Sequence, residues 1–389
     1  MKKLIVVSVI FALVAGAAFA ETTVGGQLQM GMIFMEGNNV TDDDVKMGGS
    51  YTGDGVYHEA KLSAVFGDGR GGGRLVWRTE KKDAWGWLQW RPNQFLRVKM
   101  GHDRDGEWGA AQITGWGFTG EAKNAVAAVN DWGGHFAMGG VLRANAFFGG
   151  IGDGENTSVE LSFYPIDGLS ASLFLTNVTD NLEISDHLSK AKLHVVYAIE
   201  DIGTVRFTAA GKGALATVKD EETGDKDLRK GDIADLFLSF YSKSIVQGLA
   251  FDVGFKFNLP HMDADSQGAT NIGLGLAYDA GSFNVKVRTG VQFGAKDAAG
   301  KEAPAEWGIG ILPNYRINPN LIVFFHAGFR QVLTDEEGAQ KWGWFINPYI
   351  WVRAAEGLRF WTGIQILDQE GVRENQIKWI IPFGFNFYF

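Results

Sequence analysis

The chain contains no cysteine. That excludes a disulfide framework, a thiolate metal centre and a thiol nucleophile. It also excludes a lipid-modified N-terminus, which needs a cysteine at the cleavage site. Beyond the first twenty residues no stretch approaches the roughly 18 uninterrupted apolar residues that a membrane-crossing helix requires. Basic excess is missing too: 36 Lys and Arg stand against 45 Asp and Glu, for a net charge of −9. A chain of that charge is not expected to bind nucleic acid. Proline is scarce, at 8 residues.

Glycine and aromatics are plentiful. Gly supplies 53 of 389 residues, about double the usual share of roughly 7%, and it follows no collagen period. That much glycine suits bulged, tightly turned strands with room around a lumen. The 13 Trp suit aromatic girdles at a membrane interface. At the N-terminus Lys2 and Lys3 precede an apolar run, Leu4 to Ala18, and Ala18-Phe19-Ala20 supplies small residues before Glu21. Residues 1–20 therefore read as a secretory signal peptide. Its removal takes away two lysines, leaving 34 basic against 45 acidic residues and a net charge of −11.

The end of the chain is the most regular stretch. From Ile377 every second residue is large and apolar: Ile377, Trp379, Ile381, Phe383, Phe385, Phe387, Phe389. The alternates, among them Lys378, Gly384 and Asn386, are smaller and more polar. Period two over this length predicts a strand with one face toward an apolar medium. The segment resembles the closing strand of a bacterial outer-membrane β-barrel, and that resemblance makes Phe385, Phe387 and Phe389 part of a barrel-assembly signal. The final strand of a soluble β-sandwich is the competing reading.

The same alternation recurs upstream as hairpins. Lys190–Glu200 turns into Thr204–Lys212, Ala234–Tyr241 into Leu249–Asn258, and Asn271–Tyr278 into Ser282–Gly294. Glu306–Tyr315 turns into Leu321–Val332, and Gly343–Arg353 into Leu358–Leu367. One set of connections is short; the other, such as Lys219–Lys230 and Thr334–Gln340, is long and acidic. That asymmetry is the barrel pattern of short periplasmic turns and longer extracellular loops. Both termini then share the short-turn side, which requires an even strand number. The expected fold is all-β: a transmembrane antiparallel up-and-down barrel of about 16–20 strands over residues 21–389. About twenty are counted from Val24–Met35 onward, and the patterning between Gly115 and Ile151 leaves sixteen or eighteen open. The first strand begins so soon after the cleavage site that no N-terminal plug domain is expected.

Alternation also assigns faces. If the apolar set meets lipid, the inward set is rich in cations: Arg74 and Arg78 on the third strand, Arg91 on the fourth, Arg97 and Lys99 on the fifth. Later strands add Lys192, Arg206, Lys256, Lys286, Arg288, Arg330, Arg353, Arg359 and Lys378. Inward acids are fewer, with Glu59, Glu160, Asp235 and Asp252 the best cases, while most negative charge sits in loops such as Asp42-Asp43-Asp44. Charge on a lumen wall tunes what passes, so a basic wall points to a pore leaning toward anions. Salt-paired ladders without selectivity are the alternative.

The third long loop begins at Gly101 and is expected to occupy residues 102–132. Its opening, Gly101-His102-Asp103-Arg104-Asp105-Gly106-Glu107-Trp108-Gly109, is acidic, aromatic and glycine-rich. Here the chain resembles the classical bacterial porins, whose loop between strands five and six folds into the barrel and narrows the pore opposite an arginine cluster. Glu107-Trp108-Gly109 matches the acidic, aromatic and glycine part of that pattern; the proline common near it is missing. The resemblance implies that Asp103, Asp105 and Glu107 face the wall of Arg74, Arg78, Arg91, Arg97 and Lys99, with a transverse field between them. An ordinary extracellular loop is the alternative.

Other constellations carry less. Trp85 and Trp87 share the inward parity, and with Trp108 they are candidates for an aromatic slide in a sugar-selective channel; strand-end Trp is commonly a girdle residue. The seven His are scattered, and no Ser stands beside the His102-Asp103 pair in a catalytic arrangement. No enzyme activity, cofactor or metal site is expected. The expected partners are outer-membrane lipid, the barrel assembly machinery and small hydrophilic solutes, with a homotrimer left open. The function expected is diffusion of small hydrophilic solutes across a bacterial outer membrane, reached by secretory export. A closed-barrel surface or adhesion protein is the alternative from a different class.

Overall fold

A computed structural model describes residues 21–38, 46–49, 56–66, 70–78, 83–101, 158–176, 188, 190–211, 218–219, 226–227, 232–260, 270–293, 306–333, 340–368 and 377–388. Among them twenty strands form a single sheet. In chain order the strands that cross the barrel are β1 (Glu21–Asn38), β2 (Val56–Phe66), β3 (Gly71–Arg78), β4 (Asp83–Asn93), β5 (Leu96–Gly101) and β6 (Ser158–Ile166). They continue with β7 (Leu169–Thr176), β8 (Lys192–Ile199), β9 (Gly203–Gly211), β10 (Asp232–Val246), β11 (Leu249–Pro260) and β12 (Thr270–Ala280). The remainder are β13 (Phe283–Phe293), β14 (Glu306–Asn318), β15 (Leu321–Leu333), β16 (Gln340–Ala355), β17 (Leu358–Gly363 with Gln365–Asp368) and β18 (Ile377–Tyr388).

Each strand pairs antiparallel with its sequence neighbour, and β18 returns to β1, where Gln27 faces Tyr388 and Gly37 faces Trp379. The sheet therefore closes and keeps no free edge, which is how strands satisfy their backbone in lipid. Of the twenty strands in the sheet, the four-residue Lys46–Gly49 pairs alongside the upper end of β1, in line with β2. Leu358–Gly363 and Gln365–Asp368 are two halves of one crossing. Eighteen crossings make the ring among the described residues. Pro348 on β16 explains the split in β17. It offers no N–H, and its carbonyl instead accepts from Ile364 N at 2.9 Å. The strands expected between Gly115 and Ile151 lie outside the described residues, and the ring closes by direct pairing of β5 with β6.

All the described tight turns lie at one end. At Gln94-Phe95, Asn93 Oδ1 accepts from Phe95 N at 2.9 Å and from Leu96 N at 3.0 Å. Asp279 holds Gly281 N and Asn318 holds Asn320 N in the same way, each at 2.8 Å. Short Asx side chains fold back on the backbone and set these reversals locally. Gly357 shows why glycine is needed: its φ is +74°, and a Cβ there would collide with the Tyr388 carbonyl oxygen. Glu21 pairs with Val65 and Tyr388 with Gln27, so both described chain ends sit at this turn end.

Register fixes the faces. Leu274 and Leu276 on β12 are exposed, while Asn271, Gly273 and Gly275 between them are buried. Around the ring Trp90, Leu161, Leu173, Leu193, Phe207, Leu238, Phe255, Ile309, Phe325, Ile350 and Phe383 point out. Inward stand Glu160, Ser172, Lys192, His194, Thr208, Asp235, Asn258 and Asn271, all buried. Apolar outside and polar inside is the inverse of a soluble barrel, as an apolar solvent demands.

Candidate functional site

The five cations that the sequence assigns to a basic wall lie on β3, β4 and β5. Arg74 on β3 stands opposite Trp87 on β4. Trp87 stands opposite Gly101, and Gln89 opposite Lys99, on β5. Lys99 faces Glu160, and Arg97 faces Ser162, on β6. Period two keeps all of these on one face. Arg78 lies opposite Glu59 and Trp85 opposite Val76 on the same face by register.

Contacts knit this wall together. The Lys99 ammonium lies 4.5 Å from the centre of the Trp87 ring, and the Arg74 guanidinium is 5.9 Å from it. Tyr164 on β6 sits between Arg91 and Arg97, with ring distances of 5.4 and 5.9 Å. Cations over aromatic faces are attracted and held by the negative face of the ring. Arg97 is different: its Nη2 donates to Glu160 Oε1 at 2.5 Å and to Ser162 Oγ at 3.3 Å. Ser162 also donates to Glu160 and lies 2.8 Å from the Ser172 hydroxyl. Glu160 is 2% exposed and Ser162 is closed off completely. A buried carboxylate with this many donors is fixed in place.

The rest of the ring is built otherwise. On β10 and β11 Lys256 reaches Asp235 at 3.3 Å, and Asn258 donates to the other oxygen of Asp235 at 2.9 Å. His194 on β8 shares a 2.8 Å hydrogen bond with Thr208 on β9. On β15–β17 the inward face turns aromatic. Phe324 and Tyr349 stack at 4.5 Å with planes 3° apart, and His326 stands edge-on to both. Ile322 faces Trp351 and Trp351 faces Trp361, each directly across the ladder. These residues form the buried apolar cluster of the barrel.

The structure thus brings Arg74, Arg91, Arg97, Lys99 and Trp87 onto one inner wall, with Arg78 and Trp85 on that face by register. It places Phe385 and Phe387 on the outward set of β18, beside Phe360 on β17. Asp103, Asp105, Glu107, Trp108 and Phe389 lie outside the described residues. β5 ends at Gly101, whose φ of +127° and close approach to the Gly86 carbonyl admit only glycine. Sequence reasoning did not single out Tyr164, Ser162, Ser172 or the aromatic face of β15–β17. Parity was signal enough for the last: Trp351 shares the inward parity of Arg353, and Trp361 that of Arg359.

No family model matches the sequence, and no curated protein matches it. Solved structures do match over nearly the whole chain. OccK10 (OpdN) of Pseudomonas aeruginosa aligns with a TM-score of 0.54 at 10% identity, covering 95% of this chain and 98% of that one. The outer membrane protein OpdK of Pseudomonas aeruginosa aligns at 0.53 and 9% identity, covering 95% and 99%. OpdK with vanillate aligns at 0.52 and 9%, covering 94% and 98%. At these identities the likeness is one of fold: this chain has the barrel architecture of bacterial outer-membrane porins.

Proposed function

We propose that the protein is a bacterial outer-membrane channel that passes small hydrophilic solutes by diffusion and favours anions, without enzymatic activity. The observation that carries the anion preference is the wall of β3–β6. Lys99, Arg74 and Arg91 lean on Trp87 and Tyr164, and with Arg97 these cations outnumber Glu160, the carboxylate that Arg97 binds on this wall. Net positive potential on a low-dielectric wall raises the local concentration of anions. An eighteen-stranded ring is within the size that leaves an aqueous channel. A likeness in fold to OpdK, which was crystallised with vanillate, is in keeping with passage of a small carboxylate.

In this reading Asp103, Asp105 and Glu107 face the basic wall from the segment that follows Gly101, and Trp85, Trp87 and Trp108 offer aromatic surface along the path. Export by the residue 1–20 signal and assembly through the terminal Phe-rich strand complete it. The near-complete burial of inward Glu160, Ser162, Thr208 and Asn347 favours a second reading, a closed barrel whose loops act at the cell surface.

Planar-bilayer recording of the refolded mature chain across a potassium chloride gradient decides between them. Stable current steps with an anion-selective reversal potential are expected. Steps with cation selectivity would keep the channel and reject the basic wall as its filter. No steps from a demonstrably folded barrel would leave the surface protein.

A further inference from the structure

We propose that the turn-end rim between β6 and β10 holds one phospholipid whose headgroup carries a primary ammonium and a phosphate, as in phosphatidylethanolamine. The site needs the barrel to stand in a bilayer; it does not need the barrel to conduct. It begins with a step in the rim. Gly168 O, in the β6–β7 turn, accepts from Ala198 N at 2.8 Å, and β8 runs on past that turn. β10 pairs with β9 only as far as Thr204 and Tyr241, then continues to Val246. The Ser242 hydroxyl donates to the Ile202 carbonyl beside it. Hairpins that end at unequal heights leave a cavity of about 500 Å³ between them, a size that holds a small ligand.

Charge narrows the ligand class. Asp167, Glu200 and Lys243 all line this cavity. Each is exposed, and none has an ion pair or a side-chain hydrogen bond among the described residues. Two carboxylates and an ammonium around one space match a ligand carrying the opposite set: a cation for Asp167 and Glu200, an anion for Lys243. The carboxylates also accept hydrogen bonds. A primary ammonium supplies three donors, whereas the quaternary ammonium of a choline headgroup supplies none. A purely anionic headgroup satisfies Lys243 but is repelled by both acids.

The surroundings favour a lipid over a free zwitterion. Tyr197, which also lines the cavity, stands on the outward face and is 41% exposed. Tyr278 on β12 and Tyr315 on β14 stand outward near the same end and are exposed too. Outward tyrosines mark the level where hydrocarbon gives way to headgroups. Asp167 and Glu200 follow just beyond that level, in the headgroup layer. Each of the three hairpins beside the cavity presents an exposed isoleucine near its turn: Ile166, Ile202 and Ile245. On the membrane side of Tyr197 the outer wall continues with exposed Leu193 and Phe207, where an acyl chain can lie. A soluble amino acid would match the charges but leave this apolar collar wet.

The test uses the full mature chain refolded in a neutral, phospholipid-free detergent, with folding checked by heat-modifiable gel mobility. Native mass spectrometry counts the lipid retained as short-chain phosphatidylethanolamine, phosphatidylcholine and phosphatidylglycerol are titrated in turn. Saturable retention of one phosphatidylethanolamine is expected, at concentrations where the other two give only graded adducts. Asp167→Asn with Glu200→Gln removes two exposed charges and is expected to weaken retention about tenfold or more. Lys243→Gln should weaken it as well; Glu356→Gln, in the β16–β17 turn and away from the cavity, should not. Equal retention of the three lipids overturns the proposal, as does unchanged affinity in the folded double variant. Glycerophosphoethanolamine, the same headgroup without chains, separates the sources. If it displaces the lipid at equal concentration, the site takes a free solute and the lipid reading is overturned. Retention is read without current, so its failure leaves the channel standing, and a folded barrel that conducts nothing leaves this site standing.

Discussion

Replacing Glu160 with Gln tests how the basic wall is built. Arg97 and Glu160 meet at 2.5 Å with side-chain exposures of 11% and 3%. Breaking a buried pair by removing one partner costs about 3–5 kcal/mol, because the other charge stays desolvated. Here Arg97 keeps Ser162 Oγ at 3.3 Å and the Tyr164 ring, and Gln retains an acceptor oxygen. The expected loss is therefore nearer about 1–3 kcal/mol, with roughly 1 kcal/mol returned by each of the two surviving hydrogen bonds. Urea unfolding in lipid vesicles, followed by tryptophan fluorescence, reads the stability. The same substitution removes the negative charge that offsets Arg97, so the reversal potential across a salt gradient should move further toward chloride. The double variant Arg97→Met with Glu160→Leu should recover most of the stability, since an apolar pair of similar volume needs no compensation. A loss below about 0.5 kcal/mol, the range of an exposed pair, together with an unmoved reversal potential, would refute the buried-wall reasoning.

Three further outcomes are expected. Reversing Arg74, Arg91 and Arg97 to Glu should turn the selectivity toward cations; an unchanged reversal potential would remove these residues from the conducting path. Leu274→Arg places a charge on the outward face of β12 and should cost about 2–4 kcal/mol near the bilayer midplane, whereas Gly275→Ser, one residue along on the inward face, should cost far less in the same unfolding assay. Anion preference should shrink between about 0.1 M and 1 M salt, as the screening length falls from roughly 10 Å to 3 Å; a selectivity independent of ionic strength would point to a steric filter instead.

Much of the fold was legible because its rules are local. Alternation places Leu274 and Gly275 on opposite faces whatever the partner strand, and Asn93, Asp279 and Asn318 write their turns within three residues of themselves. The hairpin from Lys190 to Lys212 and the one from Asn271 to Gly294 correspond to β8–β9 and β12–β13 for that reason. Inward parity for Arg74, Arg91, Arg97 and Lys99 followed from the same period. The strand number was less legible, since a glycine-rich stretch such as Gly115–Ile151 supports alternation without saying whether it joins the sheet.

What the sequence determined by itself is the class of structure: a chain with no membrane helix, no cysteine and sustained period-two alternation must close a sheet to meet an apolar solvent. It also set which residues face in. Only the tertiary structure decided who meets whom across the ring. The 56 residues of 102–157 separate β5 from β6, yet Arg97 lies on Glu160 because those strands pair directly. Trp351 and Trp361 meet because β16 and β17 share one register among those their loop allowed. Face is a property of one strand and its solvent, whereas neighbourhood depends on pairings made at long range, where no local period carries the information.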